Sequence, residues 1–236
     1  MVENDANVAA LAECKYGQGR EYGVESLCML TLGTGVGSGI ILQGQVWHGM
    51  NGMAGEAGHI VVYPGGAQCG CGSLGCLEQY ASATAVVRMA HERSRQGDAP
   101  GITHLAVKKP KFTSHDLFLL AKAGDVQALE VFAAVGRALG VSLASLVNTL
   151  NLELYVVGGG LASAWELFEP EMMNHLRQCS SIFRITDPDL GDDRRMAAAK
   201  TFIAPAKLGS DAGLLGACLL PFTVSVSSSL QAQNIA

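Results

Sequence analysis

Glycine occupies every second position from Gly33 to Gly39, and this run separates two short apolar segments. The segments at 26–32 and 36–42 have the length of buried strands, so the arrangement predicts a β-hairpin. The turn offers backbone amides and the Thr34 hydroxyl, which suit a phosphate group. A plain hairpin turn explains the same glycines equally well. It is not a Walker A loop, because Gly-Lys-Ser/Thr is missing, and it is a poor dinucleotide fingerprint, because it enters a strand and not a helix.

A second glycine run, Gly158-Gly159-Gly160, follows a predicted strand at 152–157 and precedes a predicted helix at 166–178. Bare backbone at this place would let a nucleotide approach closely. A tight strand-to-helix turn is the alternative interpretation.

The rest of the chain alternates strands with helices, which indicates an α/β protein. Further strands are predicted at 59–63 and 200–205, and residues 46–48 are predicted to form a short strand after the hairpin. Further helices are predicted at 4–16, 77–92, 114–123, 125–150 and 211–220. Residues 93–113 read as a mobile polar connection, and the tail from Phe222 is predicted to fray.

Three cysteines lie within eight positions, in the pattern Cys69-Gly-Cys71-Gly-Ser-Leu-Gly-Cys76, ten residues after His59. One nitrogen and three sulfur ligands suit tetrahedral zinc, and the interspersed glycines let the loop curl around an ion. A closed set of four protein ligands predicts a structural zinc. Buried small residues or a disulfide are the alternatives.

Bulk composition excludes several classes of protein. The net charge of −5 argues against a broad nucleic-acid-binding face, and no apolar run approaches the roughly 18–20 residues of a membrane span. The first twenty residues contain no signal-peptide core. Seven cysteines without a secretion signal favour a reducing, cytoplasmic setting.

Taken in order, several segments resemble the ROK family (repressor, open reading frame, kinase), and most of all its bacterial glucokinases. The resemblance extends from Asn4 to about Leu219. The matching segments are Asn-Asp-Ala-Asn-Val-Ala-Ala-Leu-Ala-Glu at 4–13, Leu-Gly-Thr-Gly-Val-Gly-Ser-Gly at 32–39, Gly-Glu-Ala-Gly-His at 55–59, Cys-Gly-Cys-Gly-Ser-Leu-Gly-Cys-Leu-Glu at 69–78, Gly-Gly-Gly at 158–160 and Leu-Gly-Ser-Asp-Ala-Gly-Leu-Leu-Gly-Ala at 208–217.

The resemblance implies an actin-like, ribonuclease-H-like ATPase fold that binds a sugar and Mg²⁺-ATP, together with a structural Zn²⁺. Asp5 would be the general base that takes the proton of the sugar's 6-hydroxyl. The other roles that the resemblance implies are sugar binding by Asn4, Glu56, His59 and Glu78, phosphate and nucleotide binding by Thr34, Gly35, Gly159 and Gly160, and zinc binding by His59, Cys69, Cys71 and Cys76. From the residues alone, Asp5 has a strong alternative interpretation as a helix N-cap, and Glu56 and Glu78 could equally be solvated surface carboxylates.

Family members carry a first lobe before the Asn-Asp motif, including an Asp-x-Gly-x-Thr phosphate turn, whereas this chain reaches the motif at Asn4. The resemblance therefore implies a remnant of the N-terminal lobe at 1–20, the C-terminal lobe at 21–220 with its zinc loop at 59–78, and a flexible tail at 221–236. We also expect an exposed apolar face on the first and last helices, and hence a homo-oligomer.

The function implied is ATP-dependent phosphorylation of a hexose, with glucose first and other hexoses or N-acetylated amino sugars as alternatives. A sugar-responsive transcriptional repressor of the same family is the main alternative, since such proteins carry an N-terminal winged helix on the side where the first lobe is missing. A remnant that only binds sugar is the third. Retention of Asp5 and of the Thr34-Gly35 turn favours the kinase, because a sensor needs no catalytic base.

Overall fold

The computed structural model describes residues 2–189 and 199–231 and has one five-stranded sheet. The strands are β1 (Leu27–Leu32), β2 (Val36–Leu42), β3 (Gln45–Val46), β4 (Leu154–Gly158) and β5 (Phe202–Pro205). Their order is β3-β2-β1-β4-β5. Strands β1 and β2 pair antiparallel, as predicted for the hairpin, while β4 pairs parallel with both β1 and β5.

Ten helices are assigned within the described residues. They are α1 (Asp5–Tyr16), α2 (Gln18–Tyr22), α3 (Glu78–Ala81), α4 (Ala83–Gln96), α5 (Pro100–Lys108), α6 (Ser114–Lys122), α7 (Val126–Leu150), α8 (Trp165–Cys179), α9 (Phe183–Thr186) and α10 (Ala212–Gln231).

The sheet separates two apolar cores, because successive side chains of a strand point to opposite faces. On β1, Leu27 and Met29 pack with α1 and α10, whereas Cys28, Leu30 and Leu32 pack with the helices of the other face. The core on the face opposite α1 and α10 is the larger one and centres on α7 and α8. The result is a three-layer α/β/α arrangement.

Gly39 explains how closely α1 lies on the sheet. A Cβ atom at this position of β2 would stand 2.7 Å from both the Ala10 Cβ and the Ala6 carbonyl oxygen. Real Cβ atoms do not approach other atoms so closely, so any larger residue would push the helix away. This glycine therefore serves the packing of α1 and not the binding of phosphate.

Two predicted elements are wrong. The strand predicted at 59–63 is absent: the 3₁₀ helix Ala57–His59 comes first, and Val61 makes only an isolated bridge with Cys76. The cysteine loop takes up the backbone groups that a strand would need, since Val62 donates to the Gly75 carbonyl and Leu77 donates to that of Ile60.

The mobile connection predicted at 93–113 is also wrong, because α4 continues to Gln96 and α5 fills 100–108. Pro100 occupies the first turn of α5, where its missing N–H costs nothing. The helix predicted at 77–92 divides into α3 and α4 at Ser82, whose side chain caps α4 by accepting from the Ala85 amide.

The last helix is longer than predicted. It was expected to end near Leu220, but the backbone of α10 stays helical to Gln231, so the described part of the predicted tail at 221–236 is helical. Residues 232–236 lie outside the described residues. The expected exposed apolar face is present, since a groove of about 510 Å³ is lined by Tyr16, Leu215, Cys218, Leu219 and Phe222.

Among the described helices, α7 is the one that is long and apolar enough to cross a membrane by those two criteria. Within the protein, however, 67% of its most apolar window is buried. It therefore fits the description of a core helix.

Candidate active site

Five of the residues predicted for the site line one cavity of about 430 Å³ at the carboxyl ends of β1 and β4. Because these strands are parallel and Thr31 pairs with Gly158, the turn after β1 and the residue after β4 lie side by side. The five residues are Asp5, Thr34, Gly35, Glu78 and Gly159. Thr31, which the sequence did not single out, lines the same cavity.

The first turn of α1 brings Asp5 to this cavity. Asn4 is the N-cap, with its side-chain oxygen accepting from the Ala6 amide at 2.9 Å. Glu3 accepts from the Asn4 amide and from the Asn7 side chain, and lies 2.7 Å from the His48 ring. Burial would raise the pKa of Glu3, but the hydrogen bonds from Asn7 and His48 outweigh it, so the pKa is lowered. The start of α1 is thus fixed by neighbours on both sides of Asp5.

Glu78 lies against the glycine turn. Its Oε2 accepts from the Val36 amide at 3.0 Å. A Cβ atom on Gly35 would stand 2.3 Å from that same oxygen, so only glycine permits the carboxylate to come so close. The carboxylate predicted to bind sugar and the turn predicted to bind phosphate are therefore in direct contact.

Glu56 and His59 lie together beside the cysteine loop. The His59 Nε2 atom is 3.9 Å from a Glu56 carboxylate oxygen, and both side chains are exposed. The other ring nitrogen, Nδ1, is 3.6 Å from the Cys69 sulfur. The two nitrogens of this histidine thus face two different groups.

The four predicted zinc ligands come together, with one ligand atom from each lying within 4.8 Å of all the others. Sulfur atoms bound to one tetrahedral zinc at about 2.3 Å stand about 3.8 Å apart. The Cys71 and Cys76 sulfurs are 3.7 Å apart, and no disulfide is formed among the described cysteines. The donor set and its spacing therefore fit zinc.

The thiols of this cluster differ in acidity. Hydrogen bonds, above all from the Ser73 backbone, lower the pKa of Cys71 to about 7, whereas burial and the neighbouring thiols raise that of Cys76 to about 12. Zinc binds thiolates, so binding would release the protons that remain on these sulfurs.

Two remaining predicted residues, like Glu56 and His59, do not line the cavity. Asn4 uses its side-chain oxygen to cap α1, and Gly160 begins the 3₁₀ helix Gly160–Ala164. Neither is among the described residues that line the cavity.

Sequence reasoning missed two hydroxyl residues that hold the site. Ser38 is buried in β2 and brackets Glu56, because its hydroxyl donates to the Gly55 carbonyl and accepts from the Ala57 amide at 3.0 Å. Thr84 donates to the Thr34 carbonyl at 2.8 Å. Ser38 stands inside the glycine run and was visible as a small polar residue in a strand, whereas no local pattern marks Thr84.

Comparison with known proteins identifies the family. Residues 1–223 match the model of the ROK family. The chain belongs to the ROK family. It is 40% identical over 217 residues to a glucokinase of Halalkalibacterium halodurans, covering 92% of this chain and 61% of that protein. It therefore spans about three fifths of the length of that relative.

A solved structure gives the same family. The chain matches a ROK glucokinase of Streptomyces griseus, crystallised with glucose and AMPPNP, with a TM-score of 0.75 and 34% identity over 93% of this chain and 67% of that one. The predicted actin-like ATPase fold is confirmed, because the structural neighbours are ROK sugar kinases with that fold. Regulators are relatives too: the transcriptional regulator NagC of Escherichia coli is 32% identical over 189 residues, which are 80% of this chain and 45% of NagC.

Proposed function

We propose that this chain carries the sugar-binding and phosphate-binding surfaces of an ATP-dependent kinase that phosphorylates the 6-hydroxyl of a hexose, glucose first. The observation that carries the proposal is that Asp5, the Thr34-Gly35 turn and Glu78 line one cavity. Phosphoryl transfer needs positioning and charge stabilisation more than covalent catalysis. A carboxylate, a run of backbone amides and a second carboxylate are a suitable set for that task.

In this proposal Asp5 accepts the proton of the 6-hydroxyl as that oxygen attacks the terminal phosphorus of ATP, while the bond from this phosphorus to the bridging oxygen breaks and ADP leaves. The amides of Thr34 and Gly35 would receive the transferred phosphoryl group, since those of Gly33 and Val36 already donate within the protein, and Mg²⁺ would accompany ATP and offset its charge. Gly159, which follows β4 directly and lines the cavity, would lie near the nucleotide. Glu78 already accepts from Val36 through Oε2, which leaves Oε1 for a sugar hydroxyl.

Glu56 and His59 would complete the sugar site at the edge of the zinc loop, and Asn4 would contribute its amide nitrogen. The zinc would hold the loop at 59–78 in shape, with His59, Cys69, Cys71 and Cys76 as its four ligands. A site with four protein ligands leaves no position for an activated water, so its contribution is structural.

Domain roles follow the same proposal. Residues 1–20 would belong with the first lobe of the kinase, and residues 21–220 would form the C-terminal lobe. Because the chain covers 61% of the Halalkalibacterium halodurans glucokinase, the activity of the whole protein is itself part of the proposal. A homo-oligomer and a cytoplasmic setting stay predictions.

A coupled assay of ADP release tests the function on this chain, and on the chain extended with the residues encoded upstream of Met1. We expect turnover with glucose above that with mannose, N-acetylglucosamine or N-acetylmannosamine. Asp5→Asn should lower kcat by roughly 10²–10⁴-fold, because the general base is lost. Asp98→Asn, an exposed carboxylate elsewhere, should leave it unchanged. No turnover on any hexose by either form, or full activity in Asp5→Asn, would refute the proposal.

A ROK-type repressor is the second candidate, favoured by the similarity to NagC. The sequence encoded upstream of Met1 separates the two. An Asp-x-Gly-x-Thr turn there supports the kinase, and a helix-turn-helix supports the repressor.

A further inference from the structure

Three hydrogen bonds join the glycine turn to the segment at 78–84, where α3 ends and α4 begins. The Ala83 amide donates to the Gly33 carbonyl at 2.8 Å, and the Thr84 hydroxyl donates to the Thr34 carbonyl at 2.8 Å. The Val36 amide donates to Glu78 at 3.0 Å. Each side of the turn is therefore tied to the same short segment.

Two of these three hydrogen bonds cannot be removed by a substitution that has no other effect. The Ala83 bond uses only backbone, and Glu78 has a further predicted role in sugar binding. The Thr84 hydroxyl is different, because it is exposed and its observed contact is the carbonyl of Thr34. Thr84 is also the second residue of α4, whose start is fixed by the Ser82 cap, so the hydroxyl is presented by a rigid helix end.

We propose that Thr84 is a positioning residue for the glycine turn, holding the peptide between Thr34 and Gly35 so that the amides of the turn face the cavity. This role rests on the proposed function, since it matters to the reaction only if the turn receives the phosphoryl group. The carbonyl of Thr34 and the amide of Gly35 belong to one planar peptide, so fixing the oxygen on the α4 side fixes the N–H on the opposite side. Without that bond the peptide can rotate and turn its N–H away from the ligand.

Three variants test this. Thr84→Val keeps the shape of the side chain and removes the hydroxyl, and Thr84→Ser keeps the hydroxyl. Thr103→Val is the matched control, because Thr103 is another exposed threonine whose hydroxyl makes one hydrogen bond, to Ser94, on α5.

The first readout is amide hydrogen exchange of residues 33–37 in the chain without ligand. We expect Thr84→Val to speed this exchange by roughly 3–10-fold, the range that corresponds to one ordinary hydrogen bond. Thr84→Ser and Thr103→Val should leave it at the wild-type rate. Unchanged exchange in Thr84→Val, or equal acceleration in Thr84→Ser, would overturn the role of the hydroxyl whether or not the chain is a kinase.

The second readout is the kinetics of phosphotransfer. Thr84→Val should raise KM for ATP or lower kcat by roughly 3–10-fold while KM for the sugar stays constant, and Thr84→Ser should restore both. An equal rise in the KM of the sugar would indicate a merely structural effect and overturn the inference. If the wild type shows no turnover, the proposed function fails, and the exchange experiment still decides whether Thr84 holds the turn.

Discussion

The carboxylate of Glu13 accepts a hydrogen bond from the Leu208 amide at 2.7 Å, across 195 positions of the chain. The same oxygen accepts from the Lys207 amide at 2.8 Å, and the other oxygen accepts from the Gln18 amide at 3.0 Å. Glu13 is fully buried near the end of α1. One side chain thus joins the helix that carries Asp5 to the segment that leads from β5 to α10.

We expect Glu13→Gln to destabilise the fold by about 2–4 kcal/mol, because the amide offers only one acceptor oxygen to three partly buried N–H donors. Chemical unfolding in urea measures the change. Glu21→Gln is the control: Glu21 is exposed and pairs with Lys207, so its loss should cost less than about 1 kcal/mol. Equal effects of the two substitutions would contradict the assigned role of Glu13.

Zinc content should be one ion per chain, measured by elemental analysis after purification without added metal. Cys69→Ala and Cys71→Ala should each abolish stoichiometric zinc, because a tetrahedral site loses one of four ligands. Cys179→Ala, an exposed cysteine outside the cluster, should retain it. Chelation of the wild type should lower its melting temperature, since binding energy is folding energy in such a site. Retention of full zinc in either ligand variant would disprove this ligand set.

At acidic pH, the stability of the folded protein should depend on the protonation of Asp116. Hydrogen bonds from Lys109, and then from the Thr113 backbone, lower the pKa of this carboxyl to about 2 in the capping box of α6. In the unfolded chain the pKa of this carboxyl is higher, at about 3.9. The stabilisation that ionised Asp116 provides is therefore present in full above that pH and is lost as the pH falls toward 2.

The difference in melting temperature between wild type and Asp116→Asn should therefore be constant near pH 6 and shrink between about pH 4 and pH 2. Asp98→Asn provides the baseline for general charge effects. A difference that grows on acidification has the wrong sign and would rule out this account.

Gly39→Ala should destabilise the protein by about 1–3 kcal/mol, because the added methyl would overlap Ala10 and the backbone of α1. Gly213→Ala is the contrasting substitution within α10. Nothing lies within 4 Å of a Cβ at that position, so the change should be neutral or stabilise by up to about 1 kcal/mol. Thermal unfolding of the two variants compares them directly, and a harmless Gly39→Ala would mean that α1 does not pack on β2 as described.

Much of the fold followed from local patterns. The hairpin, the long helix α7 and the capped start of α6 were predictable, because apolar spacing and capping residues act within a few positions. The strand predicted at 59–63 failed for a non-local reason: its apolar residues pack beside the cysteine loop, which claims their backbone groups. The helix α5 was hidden behind Pro100 and Gly101, which read as a loop but occupy a first helical turn.

The site divides in the same way. The glycine turn, the zinc ligands and Asp5 each stand in a short motif, so resemblance to the family could point to them. The contacts between motifs could not be read from spacing, because they depend on how the layers pack. The bracket that Ser38 places around Glu56 and the bond from Thr84 to Thr34 belong to this second kind.

The two ring nitrogens of His59 have a consequence for which chemical groups the proposed sugar site could bind. An imidazole that gives the lone pair of Nδ1 to a metal must keep its proton on Nε2, so that nitrogen becomes an obligate donor. Glu56, 3.9 Å away, is an acceptor when ionised. With zinc bound, the two side chains would present one donor and one acceptor, which would match a hydroxyl group, since a hydroxyl both donates and accepts a hydrogen bond. In this way a structural metal would set the hydrogen-bonding polarity of a neighbouring sugar site without touching the sugar.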